Sequence, residues 1–252
     1  MTNPWERARD VYSERGPVEL LRRLGHQVTY QFSERVFGSR WWFRLRSFTN
    51  SLRYETVQNP YNIEYVDPRD VQYRSPRAVN SDQSRWKEIG LVLDGDWDLE
   101  SRSPKYTIEN ELLYRAIKAH FERDVPWEET AYVQQSIERL QQGSHNDTWR
   151  AVVRSEADLW ERCEQLDELY DQIREEGYKS KQEVFQSRSD DPMGYYPRTF
   201  KFSIDEVMID RGRNGEPLLV DGQHRLFIAK VCGIKEIPML TVVRHREYVD
   251  EN

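Results

Sequence analysis

The sequence predicts a mixed α and β chain of class α+β. Three observations carry this. Segments with apolar residues at helical spacing alternate with short runs rich in β-branched and aromatic residues. Two of those runs are joined by RGRNGEP at 211–217, which suits a hairpin turn. Apolar residues make up 37% of the 252 and aromatics 12%, enough to build a core.

Residues 17–25 (PVELLRRLG) read as a short helix with Leu20, Leu21 and Leu24 on one side and Gly25 as its stop. Trp41, Trp42 and Phe43 follow among several arginines. That mixture suits a membrane interface, a nucleic acid backbone, or an arm that packs its aromatics on the main domain. A strand and Pro-bounded loops start near residue 61 (YNIEYVDPRDVQYRSPR), so a domain boundary is placed near residue 58.

Helical spacing covers 107–123, opening with Thr107 and Asn110, and 126–141, with Pro126 in the first turn. A third helix is capped by Ser155, carries Leu159, Cys163, Leu166, Tyr170 and Ile173 on one side, and stops at Gly177. TFKFSI alternates Phe200, Phe202 and Ile204 as a half-buried strand. VMID and LLVDG then form a hairpin, a short helix with Leu226, Phe227, Ala229 and Val231 ends at Gly233, and Pro238 leads into the strand MLTVV.

Acidic residues outnumber basic ones by 44 to 37, a net charge of −7, which argues against a general DNA-coating protein. The charge is uneven. Residues 1–57 carry ten Arg, no Lys and six acids, so this basic arm can contact a nucleic acid or a protein partner while the body is acidic. No stretch is long and apolar enough to span a bilayer and the N-terminus has no signal-like apolar region, which predicts a cytoplasmic protein. Cys163 and Cys232 lie in apolar helical patterns and read as reduced core residues.

The chemistry concentrates at LLVDGQHRLF, where a strand meets a helix. A helix N-terminus exposes unpaired amides and partial positive charge, and so seats phosphate. Gly222 permits a left-handed turn and close approach of a ligand. Gln223, His224 and Arg225 add donors, with Arg225 able to grip in bidentate fashion, and Asp221 can cap the helix or hold a hydroxyl or a metal. The alternative is a plain turn with solvated side chains.

The order of a helix ending LYDQIREEGYKSKQ, a hairpin, and GEPLLVDGQHRLFIAKVCGIKEIPMLTVV resembles the ParB/sulfiredoxin superfamily, as does YVDPRDVQYRSPR. The resemblance covers roughly 58–78 and 165–245 and implies a ParB/sulfiredoxin-like mixed small sheet with helices, with 79–154 as a helical insertion. Partition proteins of the superfamily carry Gly-Glu-Arg-Arg at the corner and sulfiredoxin a nucleophilic Cys; here that place is Gln223. The DGQHR-motif branch, near the archaeal free-serine kinases, is the nearest in motif. The resemblance implies that residues Asp221, Gly222, Gln223, His224 and Arg225 surround the phosphates of ATP or another nucleotide, faced by Gly177, Ser180 and Gln182. It further implies an NTP-dependent phosphotransferase or NTP hydrolase with Asp221 and His224 as catalytic candidates, or a non-catalytic nucleotide-sensing or DNA-associated module.

LVLDGDWDL places Asp94, Asp96 and Asp98 at alternate positions, but Leu99 and Lys105 stand where a calcium loop needs Gly and Glu, so an EF-hand is rejected. An exposed turn over Trp97, a metal site, and a Mg²⁺ site facing the nucleotide stay open. The five histidines, His26, His120, His145, His224 and His245, are scattered, which gives no support to a structural zinc.

Overall fold

The computed structural model describes residues 36–37, 39–54, 63–79, 85–143, 146–148, 151–153, 155–187 and 205–251. In chain order these form α1 (Arg40–Ser51), β1 (Ile63–Val66), β2 (Tyr73–Arg74), α2 (Pro76–Val79), β3 (Leu91–Leu93), α3 (Leu112–Arg123), α4 (Ala131–Gln141) and β4 (Asn146–Thr148). Next come β5 (Ala151–Val153), α5 (Glu156–Glu176), α6 (Lys181–Ser187), β6 (Val207–Arg211), β7 (Pro217–Asp221), α7 (Gln223–Val231), β8 (Ile237–His245) and α8 (Arg246–Glu251). The class is α+β.

A six-stranded mixed sheet is built around β8, all of whose nine residues are buried. On one side β8 pairs antiparallel with β1 and, further along, parallel with β3. On the other it pairs parallel with β6, which joins β7 in an antiparallel hairpin, and β2 closes the edge parallel to β7. The β6–β8 register shifts between Ile209 and Arg211, and the buried Asp210 carboxylate there accepts from the Val243 amide at 3.1 Å and the Ser75 hydroxyl at 2.6 Å. The carboxylate thus gives the Val243 amide an acceptor beside the bulge.

Strand alternation sends side chains to two apolar layers. Val207, Ile209, Leu219, Ile237 and Met239 pack against α3, α5 and α7. Met208, Val220, Leu240 and Val242 pack against Phe43 of α1, Trp86 and Ile89. The sheet is therefore covered on both faces.

The described part of the 1–57 arm packs on the main domain, one of the alternatives read from sequence: Phe43 is fully buried under the sheet and the Asn50 side chain donates to the Gly90 carbonyl at 2.8 Å. The 79–154 segment is not purely helical, since it supplies β3 to the sheet and Trp86 to the core. The expected helix at 17–25 and the strand TFKFSI lie outside the described residues.

Helix ends follow local chemistry. Ser155 and Asp158 form a reciprocal capping box at α5, which stops at Gly177 with φ of 77°. The helix expected from 107 starts only at Leu112, because the Ile108 amide donates to the Gln72 carbonyl and Thr107 bridges Tyr73. Backbone pairing with the sheet edge holds this stretch out of the α-helix, and Ile108–Asn110 form a 3-10 turn instead. Residues 127–129 form a 3-10 turn, and α4 begins after Thr130, whose side chain caps it.

Candidate anion site at the β7–α7 corner

Strand β7 ends at Asp221, opposite Met208 of β6. The chain then turns through Gly222 in the left-handed region at φ of 84°. A Cβ at this position would sit 2.9 Å from the Val207 Cα, so both the conformation and the space require glycine. Gly222→Ala is expected to lower stability by about 2 kcal/mol, read as a shifted urea midpoint with an unchanged slope. An unshifted midpoint would mean the corner relaxes freely.

The Gly222 amide donates to its neighbour Asp221 at 2.8 Å, and the first α7 backbone bond runs from the Leu226 amide to the Gly222 carbonyl. No side chain caps α7, and no acceptor among the described residues meets the amides of Gln223 and His224. Among the described residues, these two N–H groups at the positive end of a helix dipole have no acceptor.

Two arginines act on the side chains that follow. Arg74 of β2 donates to the Gln223 side-chain oxygen and holds Glu111 through two bonds, at 2.5 and 2.7 Å. Arg162 of α5 is buried and near enough for its charge to act on His224. Burial, with Arg162 and then Arg74 acting the same way against Asp221, lowers the His224 imidazole to about 4. His224 is accordingly neutral at neutral pH, a hydrogen-bonding group and not a standing cation.

Arg225 differs from the sequence expectation. Its guanidinium points into the interior, where Nε donates to the Tyr178 hydroxyl at 3.0 Å, Nη2 donates to the Lys179 carbonyl, and the group lies 4.4 Å over the Tyr178 ring. A guanidinium stays charged when buried, so it needs such partners, and with them it is no free phosphate clamp. Its effect is to tie the 177–180 junction to the corner. Of the residues expected to face the ligand, Gly177 ends α5 and Gln182 is exposed. Ser180 caps α6 in a reciprocal exchange with Glu183.

Two buried groups in this junction escaped the sequence reading. Lys181, lowered to about 7 by burial and by Arg225, gives its backbone amide to Glu206. Burial raises Glu206 to about 7 against the pull of Arg225, and its second oxygen is buried without a hydrogen-bond partner. Arg162 had left a sequence signal, an arginine within the apolar stripe Leu159, Cys163, Leu166. Glu206 and Lys181 had left none, because their partners are distant in sequence.

The aspartate triad does not gather around a cation. Asp98, buried, accepts from Arg213 through its backbone amide and its guanidinium; Asp96 pairs with the same guanidinium at 3.0 Å. Asp94 turns to the Gly95 amide and, at 3.7 Å, to Arg246. Arg213 and Arg246 already offset this charge, and no group of His, Cys, Asp or Glu among the described residues converges to hold a metal ion. The triad also sits at the closed end of the β6–β7 hairpin, about 13 Å of strand away from Asp221, so it cannot carry Mg²⁺ to phosphates at the corner.

A cavity of about 250 Å³ lies elsewhere, lined by Gln72, Tyr73, Glu109, Tyr114 and Lys230 among others, and none of residues 221–225 line it. No protein-family model matches the chain, and no curated protein or solved structure matches it either.

Proposed function

We propose that the β7–α7 corner seats the phosphates of a nucleotide and that the chain is a ParB/sulfiredoxin-like nucleotide-binding protein. The observation that carries this reading is the pair of uncommitted α7 amides beside a left-handed glycine, with Arg74 and Arg162 close to His224. The amides would hold phosphate oxygens, Arg74 and Arg162 would offset their charge, and His224 would donate one hydrogen bond. Phosphoryl transfer or hydrolysis at this seat would rest on positioning and charge neutralisation, with Asp221 beside the reacting group.

A second reading, a non-catalytic nucleotide-sensing module, is favoured by one specific feature. An imidazole held at about 4 is a weak proton acceptor at neutral pH, and the aspartates that could have supplied a metal are elsewhere. Calorimetric titration with ATP, ADP and CTP tests the seat. Arg74→Ala and His224→Ala are each expected to weaken binding about tenfold or more, the range for a hydrogen bond to a charged group. No heat with any nucleotide, or affinity unchanged in both variants, rejects the seat. Phosphate release with Mg²⁺ then separates the enzyme from the sensor.

A further inference from the structure

Helix α1 carries an outward face that the corner does not use. Phe43 and Asn50 anchor it inward, both buried, and Arg46 donates to the Lys87 carbonyl at 3.2 Å. On the opposite side Trp41 is 65% exposed, Leu45 39%, Phe48 61% and Leu52 70%. At 100° per residue these four fall within about 60° of the helix circumference, and Phe43 and Asn50 lie across from them. They are most of the large apolar side chains exposed among the described residues. Scattered exposed apolar residues are ordinary; a contiguous stripe on one helix is a contact surface.

The charge around the stripe selects the partner. Residues 40–53 contain Arg40, Arg44, Arg46 and Arg53 and no acidic residue, in a chain whose net charge is −7. Arg40 and Arg44 are exposed along one flank of the stripe, and Arg53 is exposed beyond its end. Apolar side chains at the centre with arginines at the rim match a lipid interface, where the centre enters the acyl boundary and the rim meets anionic headgroups. A nucleic acid would need the cations along the centre of the track. A second copy would set the same arginines against each other with no carboxylate on the helix to answer them.

We propose that α1 is an interfacial docking helix that lays the domain on an anionic phospholipid surface, parallel to the plane and without crossing it. No helix among the described residues is long and apolar enough to cross a membrane, and α1 is about 18 Å long. The proposal is independent of the nucleotide reading.

Vesicles of phosphatidylcholine, with and without phosphatidylglycerol, test it by co-sedimentation of the full chain. The wild type is expected to bind the anionic vesicles about tenfold or more tightly than the neutral ones, with binding falling as salt rises. Leu45→Ser/Phe48→Ser should weaken binding about tenfold or more with an unchanged far-UV spectrum and thermal midpoint, since both side chains face outward. Arg40→Gln/Arg44→Gln should weaken binding to the anionic vesicles and flatten the salt dependence. The proposal is overturned if the wild type binds neither vesicle, if it binds both equally, or if the Leu45/Phe48 variant binds undiminished. Conversion of a wild-type dimer to a monomer by that variant, or binding of duplex DNA without binding of vesicles, overturns it too.

Discussion

Arg225→Ala is expected to lower the unfolding free energy by about 3–5 kcal/mol, the range for breaking a buried ionic contact by removing one partner. The guanidinium is buried and holds three elements together. It sits on α7, bonds to Tyr178 and Lys179 after α5, and attracts Glu206 at the mouth of β6. Removing it takes from the buried Glu206 carboxyl its strongest attracting cation and leaves it with the Lys181 amide and the weaker pull of the Lys181 side chain. The Tyr178 hydroxyl, itself buried, loses its donor as well. Arg225→Lys should recover only part of the loss, because a single ammonium cannot reproduce the planar fork that meets two acceptors at once. Urea denaturation followed by tryptophan fluorescence measures both. If Arg225→Ala keeps the wild-type midpoint and instead loses nucleotide affinity, the guanidinium serves a ligand and its assignment as a structural tie is wrong.

The same residue shows where sequence reasoning stops. The strand, the left-handed glycine and the helix start were legible at 218–223, because each follows from local chemistry: an apolar run, a residue without Cβ, a helical stripe. The cap at Ser155 and the stop at Gly177 were legible for the same reason. The direction in which Arg225 points was not, since it depends on Tyr178, 47 residues away in sequence. Asp98 was undecided for a similar reason: its spacing left a cation open among other readings, and the cation beside it is Arg213, 115 residues on. The helix expected from Thr107 starts late, at Leu112, because Gln72 and Tyr73, remote in sequence, claim the backbone of 107–108. Local signals gave elements and turns, and long-range pairing decided which polar groups stayed open.

His224 should make the fold sensitive to acid in a defined window. The imidazole is lowered to about 4 in the folded chain against an ordinary value of 6.5. Between these values the unfolded chain binds a proton that the folded chain refuses, so the His224 contribution to stability is complete above about 6.5 and is lost as pH falls toward 4. A shift of this size corresponds to at most about 3 kcal/mol. Glu206 tilts the curve the other way, because its raised carboxyl binds a proton in the folded chain between 4.5 and about 7 and so favours folding as pH falls through that range. The wild-type profile mixes both terms, so the difference between His224→Gln and wild type isolates the histidine. Denaturation midpoints are expected to diverge in favour of the variant by up to about 3 kcal/mol between pH 7 and pH 4. Parallel profiles would mean that His224 takes up its proton normally and that Arg162 and Arg74 do not press on it. A phosphate at the corner would reverse the local field, raise the imidazole and draw in a proton on binding, so saturating nucleotide should flatten the acid slope in the wild type and leave His224→Gln unchanged.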